Sequence, residues 1–256
     1  MGKHISPQSD PRRSRSLLSA FLGVVGELLI TAAVVVGLFA VWQLYWTTYQ
    51  VQGQVAQTIE SYAAEHQPAT SKTGEIRTDA PPEFAQDPGD GEVYGLLHIP
   101  SWDWMRTPLA EGTTSQVLDQ GWAGHYEDTA QPGQIGNFSV AGHRRTYGNN
   151  FRWIDRLGQG DAVVVELDDV YMVYAVENWE IVSADDPDNI RVIAPVINDL
   201  TFSQQPTERW MTMTTCHPEY GNSERYIVHL KFRSWTPKSS GVPAELVDEP
   251  SDGAQN

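Results

Sequence analysis

Residues 17–46, LLSAFLGVVGELLITAAVVVGLFAVWQLYW, form an apolar run broken by a single charge, Glu27. A membrane-spanning helix needs roughly 20 apolar residues, so the run is long enough to cross a bilayer with turns to spare. Glu27 is costly at mid-bilayer, which favours a span near 28–46 with the preceding turns at the inner interface. Trp42, Tyr45, Trp46 and Tyr49 then supply an aromatic anchor at the far boundary. Lys3, Arg12, Arg13 and Arg15 precede the run, and no Lys or Arg follows it until Lys72. The positive-inside rule places residues 1–16 as a cytoplasmic tail and everything after residue 47 outside the cell, on a single-pass protein of the cell membrane. A cleaved signal peptide is the competing reading, but its apolar region spans about 7 to 15 residues and ends in small residues, which FAVWQLYW does not offer.

With 256 residues, the chain has room for one domain of about 120 to 180 residues plus appendages. Its 17 basic and 33 acidic residues give a net charge of -16. A surface of that sign repels phosphate backbones, so nucleic acid is excluded as a partner. The lone cysteine rules out an intramolecular disulfide and leaves the compartment to be read from the apolar run. Residues 50–66 carry a weak helical period that either continues the membrane helix or forms a stalk. Residues 67–92, rich in Pro, Gly, Asp and Thr, read as a linker, so that 47–92 is stalk and linker together. From Val93 the text turns to short runs of strand character: VYGLLHIP, RTPLAEG, IGNFSVAGHR, DAVVVELDD, VYMVYAVENWEIV, RWMTMTTC and RYIVHLKFRSW. LDDV is a hairpin turn between two of them, and helical signals are brief, chiefly at 113–120 and 149–157. Seven or so short strands with few helices predict an all-β sandwich or barrel over 93–236. The polar segment 237–256 predicts a disordered tail.

Cys216 closes the run TMTTC. A lone cysteine in a strand is either a small packing residue or a nucleophile, and a nucleophile needs a neighbouring base or cation to supply thiolate. The candidates are His143 in AGHRRTYG, His125 in WAGHYED, His217 beside the cysteine, and Arg225 on the following strand. Strand alternation turns His217 away from Cys216 unless the strand ends there, as HPEYGN suggests. If the segments flanking that turn form a hairpin, Arg225 lies opposite Cys216 or within a residue or two of it, where a guanidinium can hold charge developing on an acyl oxygen. A metal site built from Cys216 and these histidines fits no compact zinc spacing. Asp185, Asp186 and Asp188 in SADDPDN read as a solvated turn or as a site for a hard cation.

TMTTC resembles the Thr-Leu-x-Thr-Cys signature of sortases, with Met213 in the Leu place. GHRRTYGNNF is similar to the segment carrying the catalytic histidine in class E sortases of Gram-positive actinobacteria, and TTCHP and YGLLHIP extend the resemblance over about residues 93–235. The resemblance implies an eight-stranded β-barrel behind an N-terminal transmembrane helix, and a cysteine transpeptidase for which no cofactor and no metal-ligating residue is assigned and calcium dependence is left open. Its partners are secreted proteins with a C-terminal sorting signal of the Leu-Pro-x-Thr-Gly or Leu-Ala-x-Thr-Gly type, cleaved between Thr and Gly, and a lipid-linked peptidoglycan precursor whose amine takes the threonine. By the same resemblance Cys216 is the nucleophile, His143 the general acid and then base, and Arg225 the oxyanion or carbonyl donor; Thr215 is a candidate for one further hydrogen bond to substrate. QDPGDG has Gly89 where pilus-building sortases carry an aromatic lid residue, and the tail has no second apolar run, which favours a wall-anchoring role. The Ser-His-Gly-Cys motif of L,D-transpeptidases is absent, and a papain-like peptidase places Cys before His. An anchored β-domain that binds wall polymer or a partner protein, with Cys216 merely buried, is the non-catalytic alternative.

Overall fold

The computed structural model describes residues 17–250. Helix α1, Leu17–Glu65, precedes eight strands: β1 (Val93–Ile99), β2 (Met105–Glu111), β3 (Ala123–His125), β4 (Gly136–Ala141), β5 (Ala162–Glu166), β6 (Val170–Ser183), β7 (Arg209–His217) and β8 (Glu224–Pro237). A short helix α2, Ser115–Leu118, lies between β2 and β3. The chain divides after Gln43 into two units, each taken by itself.

In the first unit, α1 leaves side chains such as Phe21, Leu29, Val36 and Phe39 exposed. Its stretch Ser19–Trp42, 24 residues of mean hydropathy 2.5 and none of it buried, is long and apolar enough to cross a membrane. At ~1.5 Å per residue it reaches about 36 Å, against a hydrocarbon core of ~30 Å. This stretch includes Glu27, whereas the sequence favoured a span beginning after it. Residues 1–16, read as a cytoplasmic tail, and 251–256 lie outside the described residues.

The second unit is an eight-stranded barrel closed in the order β1-β2-β3-β4-β7-β8-β6-β5. The strand pattern leaves sandwich and barrel open, and the eight-stranded barrel with short helices is the fold the resemblance implies. Two of its pairings, β2 with β3 and β4 with β7, are parallel. Parallel neighbours need crossovers, and these carry α2 and the long β4-to-β7 connection. Period-2 alternation fills the interior with Phe138 and Val140 of β4, Met211 and Met213 of β7, and Val228 and Leu230 of β8. The other face of β1 is covered too: Leu96 packs under Ile59 and Tyr62 of α1, and the Tyr62 hydroxyl donates to the Tyr94 carbonyl at 3.1 Å. That second cover is why YGLLHI reads as a continuous apolar run rather than an alternating one.

Two sequence readings need correcting. The 67–92 segment is not a free linker. Arg77 and Trp235 exchange backbone hydrogen bonds of 2.9 and 2.8 Å, the Arg77 guanidinium sits 4.7 Å over the Trp235 ring, and Phe84 packs against the core. The tail is not disordered over 237–250 either. Lys238 donates to Glu166 at 2.6 Å, Val242 and Leu246 are buried, and Glu249 meets His98 at 2.8 Å. Both segments are poor in apolar residues, so composition hid them; backbone pairing and a few buried anchors order them, and neither leaves a compositional trace.

Candidate active site

β7 and β8 are joined by a hairpin whose last rungs pair Cys216 with Arg225 and His217 with Glu224. Residues paired across an antiparallel rung project from the same face, so the Cys216 thiol and the Arg225 side chain are direct neighbours on the outer face of the barrel's end. The thiol is free and half-buried. Arg225 donates through Nη1 to the carbonyls of Asn222 (2.8 Å) and Glu224 (2.9 Å). These two bonds tie the fork to its own turn and leave the remaining N–H donors of Nη2 and Nε without acceptors among the described residues.

His143 reaches this place through β4. Ala141 pairs with Thr214 in the parallel β4–β7 ladder, the Gly142 N–H donates to the Thr214 carbonyl at 3.1 Å, and the Thr215 hydroxyl donates to the Gly142 carbonyl at 2.6 Å. The residue ahead of His143 is thus clamped to the two residues ahead of Cys216. Gly142 is required there, because a Cβ would lie 2.7 Å from the Phe151 ring where the loop folds back. Two residues beyond Ala141, His143 keeps the outward parity of β4 and meets Asp119, with Nε2 and Oδ1 2.8 Å apart and both side chains partly exposed. Asp119 is the residue that ends α2, so that one-turn helix aims a carboxylate at the imidazole. An Nε2–H donated to Asp119 leaves Nδ1 as the other working nitrogen of the ring.

The sequence candidates fall into two sets. Cys216, Arg225 and His143 are brought to one end of the barrel. Thr215 is not available to substrate: alternation turns it to the opposite face from Cys216, it is buried, and its one proton is committed to Gly142. His125 is fully buried between Glu111 (2.8 Å) and the Thr129–Ala130 turn, a satisfied interior imidazole. His217 accepts from Arg144 Nη1 at 2.7 Å, and Arg144 is itself paired with Asp155 at 3.1 Å. Asp186 accepts from the Asp188 N–H at 3.1 Å and caps a short 3-10 helix. Among the described residues no group of three His, Cys, Asp or Glu is placed to hold a metal.

Asp119, Tyr126, Thr214 and Arg144 escaped the sequence reading. The Tyr126 and Thr214 hydroxyls lie 2.9 Å apart. Burial pushes the Tyr126 phenol up, while its Thr214 bond and the Arg225 cation pull it down and the Cys216 sulfur adds to the rise. Through Thr214, which shares the Cys216 face of β7, that phenol is tied to the same end of the barrel. Thr214 had a signal, since it stands two residues before Cys216 and shares its face. Asp119 had none, because nothing local in TTSQVLDQ says what α2 will face.

A family model described as the sortase domain matches residues 97–232. The chain is 37% identical to sortase SrtE1 of Streptomyces coelicolor over 229 residues, which is 87% of this chain and 60% of that protein; it thus spans less than two thirds of that relative's length. Among solved structures it is similar to the SrtA sortase of Actinomyces oris, with TM-score 0.63, 46% identity, 69% of this chain and 99% of that one. It is also similar to sortase E1 of Streptomyces coelicolor with a tripeptide in the active site, with TM-score 0.54, 38% identity, 62% of this chain and 99% of that one.

Proposed function

Because the chain belongs to the sortase family, we propose that it is a membrane-anchored cysteine transpeptidase of the class E type, working on secreted proteins that carry a C-terminal sorting signal. The observation that carries this reading is the pairing of Cys216 with Arg225 on a rung that the Gly142 clamp ties to His143. The Cys216 thiolate attacks the carbonyl carbon between Thr and Gly of a Leu-Pro-x-Thr-Gly or Leu-Ala-x-Thr-Gly motif. The free donors of Arg225 hold the oxyanion that forms, as directed hydrogen bonds to developing charge do. His143 gives its proton to the departing glycine amine, and the C–N bond breaks to leave a thioester between Cys216 and the threonine. An incoming amine then attacks the thioester, its proton passes to His143, and the thiolate is released as the new amide forms. Asp119 is a positioning residue that keeps the imidazole turned for both proton transfers.

The acceptor in this reading is the amine of a lipid-linked peptidoglycan precursor, and α1 keeps the enzyme at the bilayer where substrate and acceptor both arrive. Membranes bearing the full chain, washed in high salt and carbonate, test the two halves together. With a sorting-motif peptide and a short amine they should yield cleavage between Thr and Gly and the amine-joined peptide, identified by mass. Activity that washes off the membrane contradicts the anchor, and cleavage at another bond contradicts the motif.

A further inference from the structure

A cavity of about 80 Å³ opens between the start of β2, the loop after β4 and the 44–65 part of α1, where Gln52 and Val55 face it. Its size is several times what one water needs. Trp102, Met105 and Trp153 make an apolar wall, and Arg106 and Arg152 a charged one.

Among the described residues of this acidic chain, the guanidinium groups of Arg77, Arg144, Arg145, Arg191 and Arg233 are each met by a carboxylate and those of Arg209 and Arg225 by backbone carbonyls, whereas Arg106, Arg152 and Arg156 are met by neither. Arg106 is half-buried and pairs with His98 through the β1–β2 ladder, yet its guanidinium has no hydrogen bond, ion pair or ring contact among the described residues. Arg152 is exposed, and its guanidinium lies 5.8 Å over the Trp153 ring with no acid against it among the described residues. Asp103 also lines the cavity but is not within ion-pair distance of either. A half-buried cation without a partner is unfavourable, and an anion supplied from outside removes the cost. Two planar forks match the oxygens of a phosphate better than they match a monatomic ion, and the tryptophan wall suits an uncharged moiety attached to it. We infer that this cavity is a binding site for a phosphate or pyrophosphate group carried on a partly apolar molecule.

The walls lead to the proposed catalytic pair. Gly148, Asn149 and Asn150 line the cavity in the loop whose Phe151 N–H donates to the His143 carbonyl at 2.9 Å. The Asn150 amide donates to the Thr107 hydroxyl at 3.3 Å, which donates in turn to the Gly121 carbonyl at 3.1 Å, two residues after Asp119. An occupant therefore bears on the loops that hold His143 and Asp119. The binding itself does not depend on the transpeptidase reading.

The test is calorimetric titration of the full chain in non-ionic micelles with inorganic pyrophosphate, with a second arm in which the micelles are doped with phosphatidylglycerol or, as a control, phosphatidylcholine. Saturable one-to-one binding that weakens about tenfold or more in both Arg106→Gln and Arg152→Gln supports the site. If pyrophosphate produces it, a soluble phosphate ligand is the source; if only phosphatidylglycerol produces it, with the same loss in both variants, a lipid headgroup is. Arg152 is exposed, so its replacement leaves the fold unaffected and the result readable. Absence of saturable binding in both arms, or binding that neither substitution weakens, overturns the inference. Cys216→Ala should bind with an unchanged constant, which keeps this outcome separate from the fate of the transpeptidase proposal.

Discussion

At the scale of single residues, the proposed mechanism divides between Arg225 and Asp119 two tasks that a shared motif cannot separate. Arg225 is held by the carbonyls of its own turn through one terminal nitrogen, so the direction of its other donors is set before substrate arrives. Lysine at that position keeps the charge but neither the tie to the turn nor the second directed donor. Arg225→Lys should therefore lower the acylation rate on the order of 100-fold to 1000-fold, the usual loss for one missing oxyanion donor. A Lys variant near wild-type rate would reduce Arg225 to a cation beside the thiolate. Asp119 acts one step back, through the 2.8 Å contact with His143. Asp119→Ala should lower kcat by about tenfold or more with KM little changed, and leave alkylation of Cys216 at its wild-type rate, because only the proton-transfer step is disturbed. A loss confined to KM would assign Asp119 to substrate binding instead.

At the scale of elements, the C-terminal segment closes the barrel through a buried charge cluster. His98 of β1 lies between Glu166 of β5 (2.6 Å) and Glu249 (2.8 Å), and Lys238 reaches the same Glu166 at 2.6 Å. Burial opposes a charge on His98, but the hydrogen bonds and charges of Glu166 and Glu249 outweigh it and push the imidazole up to about 9. A group whose folded-state value is raised stabilises the fold fully below its ordinary value near ~6.5 and loses that contribution as pH climbs through the raised one. Melting temperature should thus fall by on the order of 5 °C between about pH 7 and 10, and His98→Gln should flatten that slope. An unchanged slope in the variant would mean the cluster does not couple protonation to folding. None of this was legible in the sequence, where 237–256 has the composition of a disordered tail and His98 is one polar residue in an apolar run. The all-β class was legible, because alternation in IGNFSVAGHR and RWMTMTTC marks which side chains face in, whereas closure into a barrel came only from the family resemblance. The Cys216–Arg225 rung was legible from the hairpin turn between them. Thr215 was misjudged, although the parity that exposes Cys216 is the parity that buries its neighbour. Asp119 and the 67–92 pairing depend on long-range placement, which short windows do not carry.

At the scale of the whole molecule, an acidic chain and an apolar N-terminal helix suit an enzyme that meets its substrates at a surface rather than by attraction to polyanions. Everything specific in the proposed chemistry depends on the sulfur of Cys216 becoming an acyl carrier. The most direct measurement is the intact mass of the full chain after brief incubation with a sorting-motif peptide and no amine acceptor, followed by peptide mapping. The account predicts a mass increase equal to the peptide portion ending at threonine, located on Cys216 and released by an added amine, with neither adduct nor cleavage in Cys216→Ala. Cleavage between Thr and Gly that continues undiminished in Cys216→Ala, or an adduct carried on any other residue, would contradict it.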